Sequence, residues 1–70
     1  MTTWEYAVIH RGEAGDHHLV NLASSTQEAV TGPHPWPRIH ALGLAGWELI
    51  SVVALPETAA LEYWFKRPRP

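Results

Sequence analysis

Few side chains in this sequence can do chemistry near neutral pH. Five histidines, His10, His17, His18, His34 and His40, supply the acid–base and metal-ligating potential. There is no cysteine, hence no thiol nucleophile and no C-x-x-C zinc pair. His17 and His18 are adjacent and on a strand point to opposite faces. His34 and His40 miss the i, i+4 spacing of helical zinc sites. A site built from His10, His17 or His18, and His34 has no supporting spacing, so no metal and no cofactor is expected. Glu5, Glu48 and Glu62 each stand beside a large apolar or aromatic residue. A carboxylate against an indole has its pKa raised by desolvation, which suits general acid–base work. Paired with Lys66, Arg67 or Arg11 across strands, the same carboxylates are ordinary sheet chemistry. No Ser-His-Asp order or Gly-rich phosphate loop is present.

The densest cluster of unusual residues is TGPHPWPRIH, Thr31–His40, with three prolines, two histidines and a tryptophan. Pro37 suits the start of a helix, where its missing N–H is not needed. Pro33 and Pro35 stiffen the approach, and the Trp36–Pro37 isomer is left open. His34 and Trp36 have no such structural task, which makes them candidates for binding. Exposed tryptophans, here Trp36 and Trp64, stack planar or apolar ligands.

These residues must be positioned by short elements. The alternating WEYAVIHR, Trp4–Arg11, reads as a strand. GEAGD, Gly12–Asp16, has turn chemistry, and HHLVNLAS, His17–Ser24, reads as a returning strand. SSTQEAVTG carries Ser25 with Glu28 three residues on, the capping-box spacing, and reads as a helical turn or a polar loop. PRIHALGLAG predicts a helix that starts at Pro37 and ends at Gly46, with Gly43 permitting close helix–sheet approach. WELISVVAL, Trp47–Leu55, is a strand, PETAA a turn, and LEYWFKR, Leu61–Arg67, the last strand, stopped by Pro68 and Pro70.

The expected fold is therefore α+β in one domain spanning residues 1–70: an antiparallel three- to four-stranded sheet in the order β-(β)-α-β-β, with one helix packed on one face. Alternation predicts a core face of Trp4, Tyr6, Val8 and His10, with Trp47, Leu49, Ser51, Val53 and Leu55, and with Leu61, Tyr63 and Phe65. The second face carries Glu5, Ala7, Ile9 and Arg11, then Glu48, Ile50, Val52 and Ala54, then Glu62, Trp64 and Lys66. One helix cannot cover both faces. Ile9, Ile50, Val52 and Trp64 then form an apolar patch rimmed by charge, the signature of a partner or ligand surface.

Composition narrows the function classes. The formal charge is −2, and three of the five basic residues (Lys66, Arg67, Arg69) sit at the C-terminal end. A nucleic-acid partner is disfavoured, because phosphate binding needs a basic face. No apolar run approaches the roughly 20 residues of a membrane span. Met1-Thr2-Thr3 begins no signal peptide, so the expected location is cytoplasmic. Seventy residues without a disulfide or a structural metal lean on close packing or on a second subunit.

WEYAVI, LGLAGWELISVV and YWFKRP resemble the small bacterial proteins of the domain-of-unknown-function family numbered four-one-seven-seven. That family runs W-E-Y-x-V, then L-x-x-L-G-x-x-G-W-E-L-V-x-V, then an aromatic strand ending F-K-R-P. The likeness covers about half to two-thirds of the chain. It implies a small, oligomeric α+β domain and supplies no catalytic residue to carry over. The His17–Trp36 segment departs from the family pattern, so whatever is particular to this member is expected there.

The reading is a small non-catalytic binding or accessory protein. It forms a homodimer that uses its second sheet face and the 31–40 loop to hold a partner protein or a small apolar or aromatic molecule. The binding residues are Trp36, His34, Trp64, Ile50, Val52 and Ile9. The alternative is a small cyclase or isomerase of specialised metabolism with a His–Glu proton shuttle in a Trp-walled pocket. For that alternative, His34, Glu48 and His10 are the residues on offer, and none is assigned as catalytic.

Overall fold

The computed structural model describes residues 1–12 and 14–69. The elements are β1 (Trp4–Arg11), β2 (His17–Asn21), β3 (Thr26–Val30), α1 (Trp36–Leu44), β4 (Glu48–Ala54) and β5 (Leu61–Pro68). The strands form one five-stranded sheet in the order β3-β2-β1-β5-β4, with antiparallel pairing throughout. The α+β class with a single helix on an antiparallel sheet stands. The strand count does not, because the sheet has five strands rather than three or four. The expected stop at Pro70 and the Glu13 part of the first turn lie outside the described residues.

The additional strand is β3, in the segment read as a helical turn or polar loop. Ser25 adopts a left-handed φ of 57° and so cannot cap a helix; it sits in a hairpin turn instead. Asn21 Oδ1 accepts the Ala23 N–H at 3.0 Å, and the Ser24 and Thr26 hydroxyls bond at 2.8 Å. Thr26–Val30 then pairs with β2, from Asn21↔Thr26 to His17↔Val30. Cross-strand pairing to β2 outweighs the capping-box spacing.

Helix α1 ends as its sequence predicts. Gly46 holds a φ of 93°. The Trp47 N–H donates to the Leu42 carbonyl at 2.9 Å, and the Gly46 N–H donates to the Gly43 carbonyl at 3.0 Å. This paired closure is the Schellman arrangement, with its apolar contact formed by Leu42 and Trp47. Both side chains enter the core with Ala7, Ile9, Leu19 and Phe65, and Val30, Ile39 and Tyr63 pack against them.

The core contradicts the expected phase of β1. Ala7 and Ile9 lie under the helix, at 2% and 0% exposure, while Trp4 and Tyr6 are exposed on the opposite face, where Val8, expected to be buried, is so at 8%. His10 is half-buried on that same open face. The register explains the inversion, because Ala7 pairs with Phe65 and Ile9 with Tyr63. β1 is apolar on both sides, so alternation alone does not choose, and small Ala7 leaves room for Leu42 and Trp47. β4 departs as well. A register shift between Leu49 and Ser51 puts Ser51 opposite Trp64 and Val52 opposite Tyr63. Leu49 and Val53, expected in the core, are exposed. Among the described residues no helix is long and apolar enough to cross a membrane.

Gly43 does not serve a close helix–sheet approach. A Cβ built there meets nothing within 4 Å. Gly43→Ala should therefore raise stability by about 0.5–1 kcal/mol, the usual helix-interior difference between Gly and Ala. Urea titration measures it; a lower midpoint would show that the helix does not accommodate the added methyl.

Candidate functional site

The sheet end beneath the proline-rich loop gathers the most polar chemistry. Arg11, the last residue of β1, pairs in register with His17 of β2 on one side and Leu61 of β5 on the other. Tyr63 lies two residues further along β5 on the same face. Gly32, at φ 100°, turns the chain out of β3, and Pro35, which is buried, seats the loop before α1. His34 and Trp36 stack at the lip, with ring centroids 4.4 Å apart and planes inclined at 36°. Together they bound an open cavity of about 330 Å³, with His17, Tyr63 and Leu61 in its wall beside Arg11.

Arg11 puts a positive charge in the lining of this mouth. No carboxylate lines it among the described residues. Helix α1 begins there with Pro35 at its N-cap, no side-chain cap and no acidic residue in its first turn. The unmatched N–H groups of a helix start carry partial positive charge. His17 is 6% exposed. Burial lowers its pKa below the ordinary 6.5, and the Arg11 guanidinium lowers it further, against an opposing pull from Asp16. Trp36 is 65% exposed, so one ring of the stacked pair stands open to solvent.

A second cavity, of about 230 Å³, lies between α1 and the sheet towards the other end. Ala7, Leu19, Leu42 and Trp47 line it, and the Arg38–Glu28 and Arg67–Glu5 ion pairs border it. Arg67 also lies 4.3 Å over the Trp47 ring, and across the sheet Lys66 lies 4.3 Å over Trp4. These contacts tie the end of β5 to β1 and to the helix exit.

The residues singled out from the sequence fall in three places. Trp36 and His34 meet at the mouth. Ile50 and Val52 stand exposed on edge strand β4, at 45% and 53%. Trp64 is on the open face, where its Nε1 donates to Glu62 Oε1 at 3.3 Å and His10 Nδ1 lies 3.4 Å from Glu62 Oε2. Ile9, expected beside Trp64, is instead the fully buried centre of the opposite face. His34, Glu48 and His10 are not brought together: Glu48 pairs in register with Lys66, four residues along β5 from the partner of His10. Sequence reasoning missed Arg11 and Tyr63 as site residues. A hairpin centred on GEAGD already implied that Arg11 and His17 face each other, and that was the available signal. Among the described residues no three His, Cys, Asp or Glu side chains gather to hold a metal ion.

No family model matches the chain, and no curated protein or solved structure matches it.

The lowered pKa of His17 has a definite consequence for stability. The unfolded chain takes up the proton near pH 6.5, whereas the folded chain resists it until lower pH. Below about pH 6.5 the unfolded state therefore binds more protons, and stability falls as pH falls. Urea midpoints should drop between about pH 7.5 and about 5.5, and His17→Gln should shrink that drop. An equal drop in the variant would assign the pH dependence to other groups.

Proposed function

We propose that this protein is a non-catalytic binding module that works as a homodimer. The observation that carries the reading is edge strand β4. Every residue of Glu48–Ala54 is exposed, and the strand holds Leu49, Ile50, Val52 and Val53 with a single charge. Edge strands of soluble proteins are ordinarily blunted by lysine, proline, a bulge or a covering loop. β4 has no lysine or proline, and the irregularity between Leu49 and Ser51 leaves every one of its residues exposed. The other edge, β3, reads Thr-Gln-Glu-Ala-Val, and its Glu28 pairs with Arg38 of the helix. The two edges thus differ in kind, and only β4 has the composition of a surface meant to be covered.

A second copy suits it best. In an antiparallel β4–β4 pair with its two-fold axis near Ser51, the two Glu48 carboxylates lie at opposite ends, roughly 20 Å apart at the usual strand rise. Isoleucine and valine then face each other at the centre. The sheet continues across the axis and carries Trp64 and Val53 of the open face up to it. The motif likeness to the family numbered four-one-seven-seven agrees with an oligomeric α+β domain. The loop over residues 31–40 contributes the ligand-facing part of the reading, through His34 and Trp36.

The enzyme alternative rests on His10, Glu62 and Trp64, which do lie within hydrogen-bonding reach of one another or close to it. They stand on an open sheet face, and none of them lines either cavity described above. Proton-shuttle chemistry needs exclusion of water, which this face does not supply. The binding reading is therefore preferred.

Sedimentation velocity should find a dimer at micromolar concentration. Like charges facing one another across an interface cost several kcal/mol, so Ile50→Lys combined with Val52→Lys should weaken association by about 100-fold or more. Because both side chains are already exposed, the circular dichroism spectrum should be retained. A wild-type chain that sediments as a monomer at every concentration would overturn the dimer.

A further inference from the structure

We infer that the mouth beneath the 31–36 loop binds a small planar organic acid, its carboxylate held by Arg11 and His17 and its ring laid against Trp36. The inference deepens the ligand-binding half of the proposed function and is independent of the dimer. Four observations carry it. First, the polar groups that line the mouth are Arg11, His17, His34 and Tyr63; among the described residues no carboxylate is in the lining, although Asp16 acts on His17 from outside it and the Arg11 guanidinium also donates to the Ala59 carbonyl at 3.4 Å. In a chain whose net charge is −2, that local excess of cationic and donor groups is set against the background. Second, His17 is 94% buried, by its 6% exposure, and yet makes no side-chain hydrogen bond among the described residues. No sealed side-chain nitrogen or oxygen is left unpartnered among the described residues, so both ring nitrogens keep some access to solvent, and the residue lines the mouth. A mostly buried imidazole whose nitrogens have no protein partner can bond a group bound there.

Third, the uncapped start of α1 opens beside the same cavity and adds its partial positive charge. Fourth, the apolar part of the site is aromatic and stiff. Trp36 is 65% exposed although it is a large indole, and it is braced by His34 at 4.4 Å between two prolines. Braced in this way, the ring loses little freedom when a ligand stacks on it. Leu61 and Tyr63 supply the opposite apolar wall. A cavity of about 330 Å³ lies at the lower end of small-molecule sites, which fits one or two fused rings rather than a larger molecule. An inorganic anion would leave Trp36 unused, and an uncharged aromatic would leave Arg11 and His17 unused.

Two-dimensional amide and indole NMR on the full chain tests this with four probes: benzoate, 2-naphthoate, acetate and benzamide. The two aromatic acids should give saturable shifts centred on Arg11, His17 and the Trp36 indole. Benzamide and acetate should each bind at least tenfold more weakly, because each lacks one half of the match. Arg11→Gln should weaken 2-naphthoate at least tenfold without changing its contact with Trp36. Trp36→Ala, at an exposed position, should do the same without unfolding the chain. Absence of saturable shifts, shifts centred elsewhere, or equal binding of benzamide would overturn the proposal. Equal binding of acetate would reduce the site to an anion pocket and overturn the aromatic specificity. A monomeric chain would leave all of these readouts unchanged, so the two readings fail separately.

Discussion

One helix must serve five strands, and most of what is distinctive here follows from that mismatch. A nine-residue helix is roughly 14 Å long and about 10 Å across. Five strands at about 4.8 Å spacing present a sheet roughly 20 Å wide, with two faces. The helix therefore covers about half of one face. It lies over β1, β2 and the inner part of β5, where Ala7, Ile9, Leu19 and Phe65 are buried. Outside that footprint most of the sheet stays at the surface, although Val8 on the reverse face is buried at 8%. β4 lies outside it, and so do Trp4 and Tyr6 on the reverse face.

The small core is secured at the helix exit. Leu42 and Trp47 are joined by the backbone bond that closes the helix, so local closure and core packing use the same two residues. A left-handed residue is required between them, and Gly46 supplies it. Arg67 then lies over the Trp47 ring and pairs with Glu5, which fastens the end of β5 to β1 and to the helix exit. The opposite end of the sheet is fastened more lightly, by the Arg11 guanidinium donating to the Ala59 carbonyl at 3.4 Å. There the helix start is uncapped, the loop is carried by prolines, and Arg11 and His17 face a cavity rather than carboxylates. The division between a closed end and an open end is the physical basis for looking for function at the loop.

Much of this was legible in the sequence where a local rule acted alone. Trp4–Arg11 forms a strand because it alternates β-formers between Thr3 and a glycine. The helix stop at Gly46 and the stiffened entry before Pro37 follow from backbone preference. Where two faces of a strand were both apolar, local rules failed. β1 carries Tyr6 and Val8 on one side and Ala7 and Ile9 on the other, and only its register with β5 decides which side meets the helix. The irregularity after Leu49 has no local marker, so Val52 was grouped with Trp64 although it faces Tyr63. β3 is polar because it is an edge, and polar residues near a serine look like a cap or a loop. At the candidate site, His34 and Trp36 stood out by type and spacing. Arg11 and Tyr63 did not, since their place in the mouth depends on strand pairing.

We propose different fates for the two edges of the sheet, because β4 is apolar and exposed throughout while β3 is polar and tied to α1 through Glu28 and Arg38. Hydrogen–deuterium exchange resolved to single amides addresses this directly. With β4 covered by a second copy, the outward-pointing amides of Glu48–Ala54 gain protection as protein concentration rises, while the outward-pointing amides of Thr26–Val30 exchange quickly throughout. Equal and concentration-independent exchange at both edges would contradict the proposal.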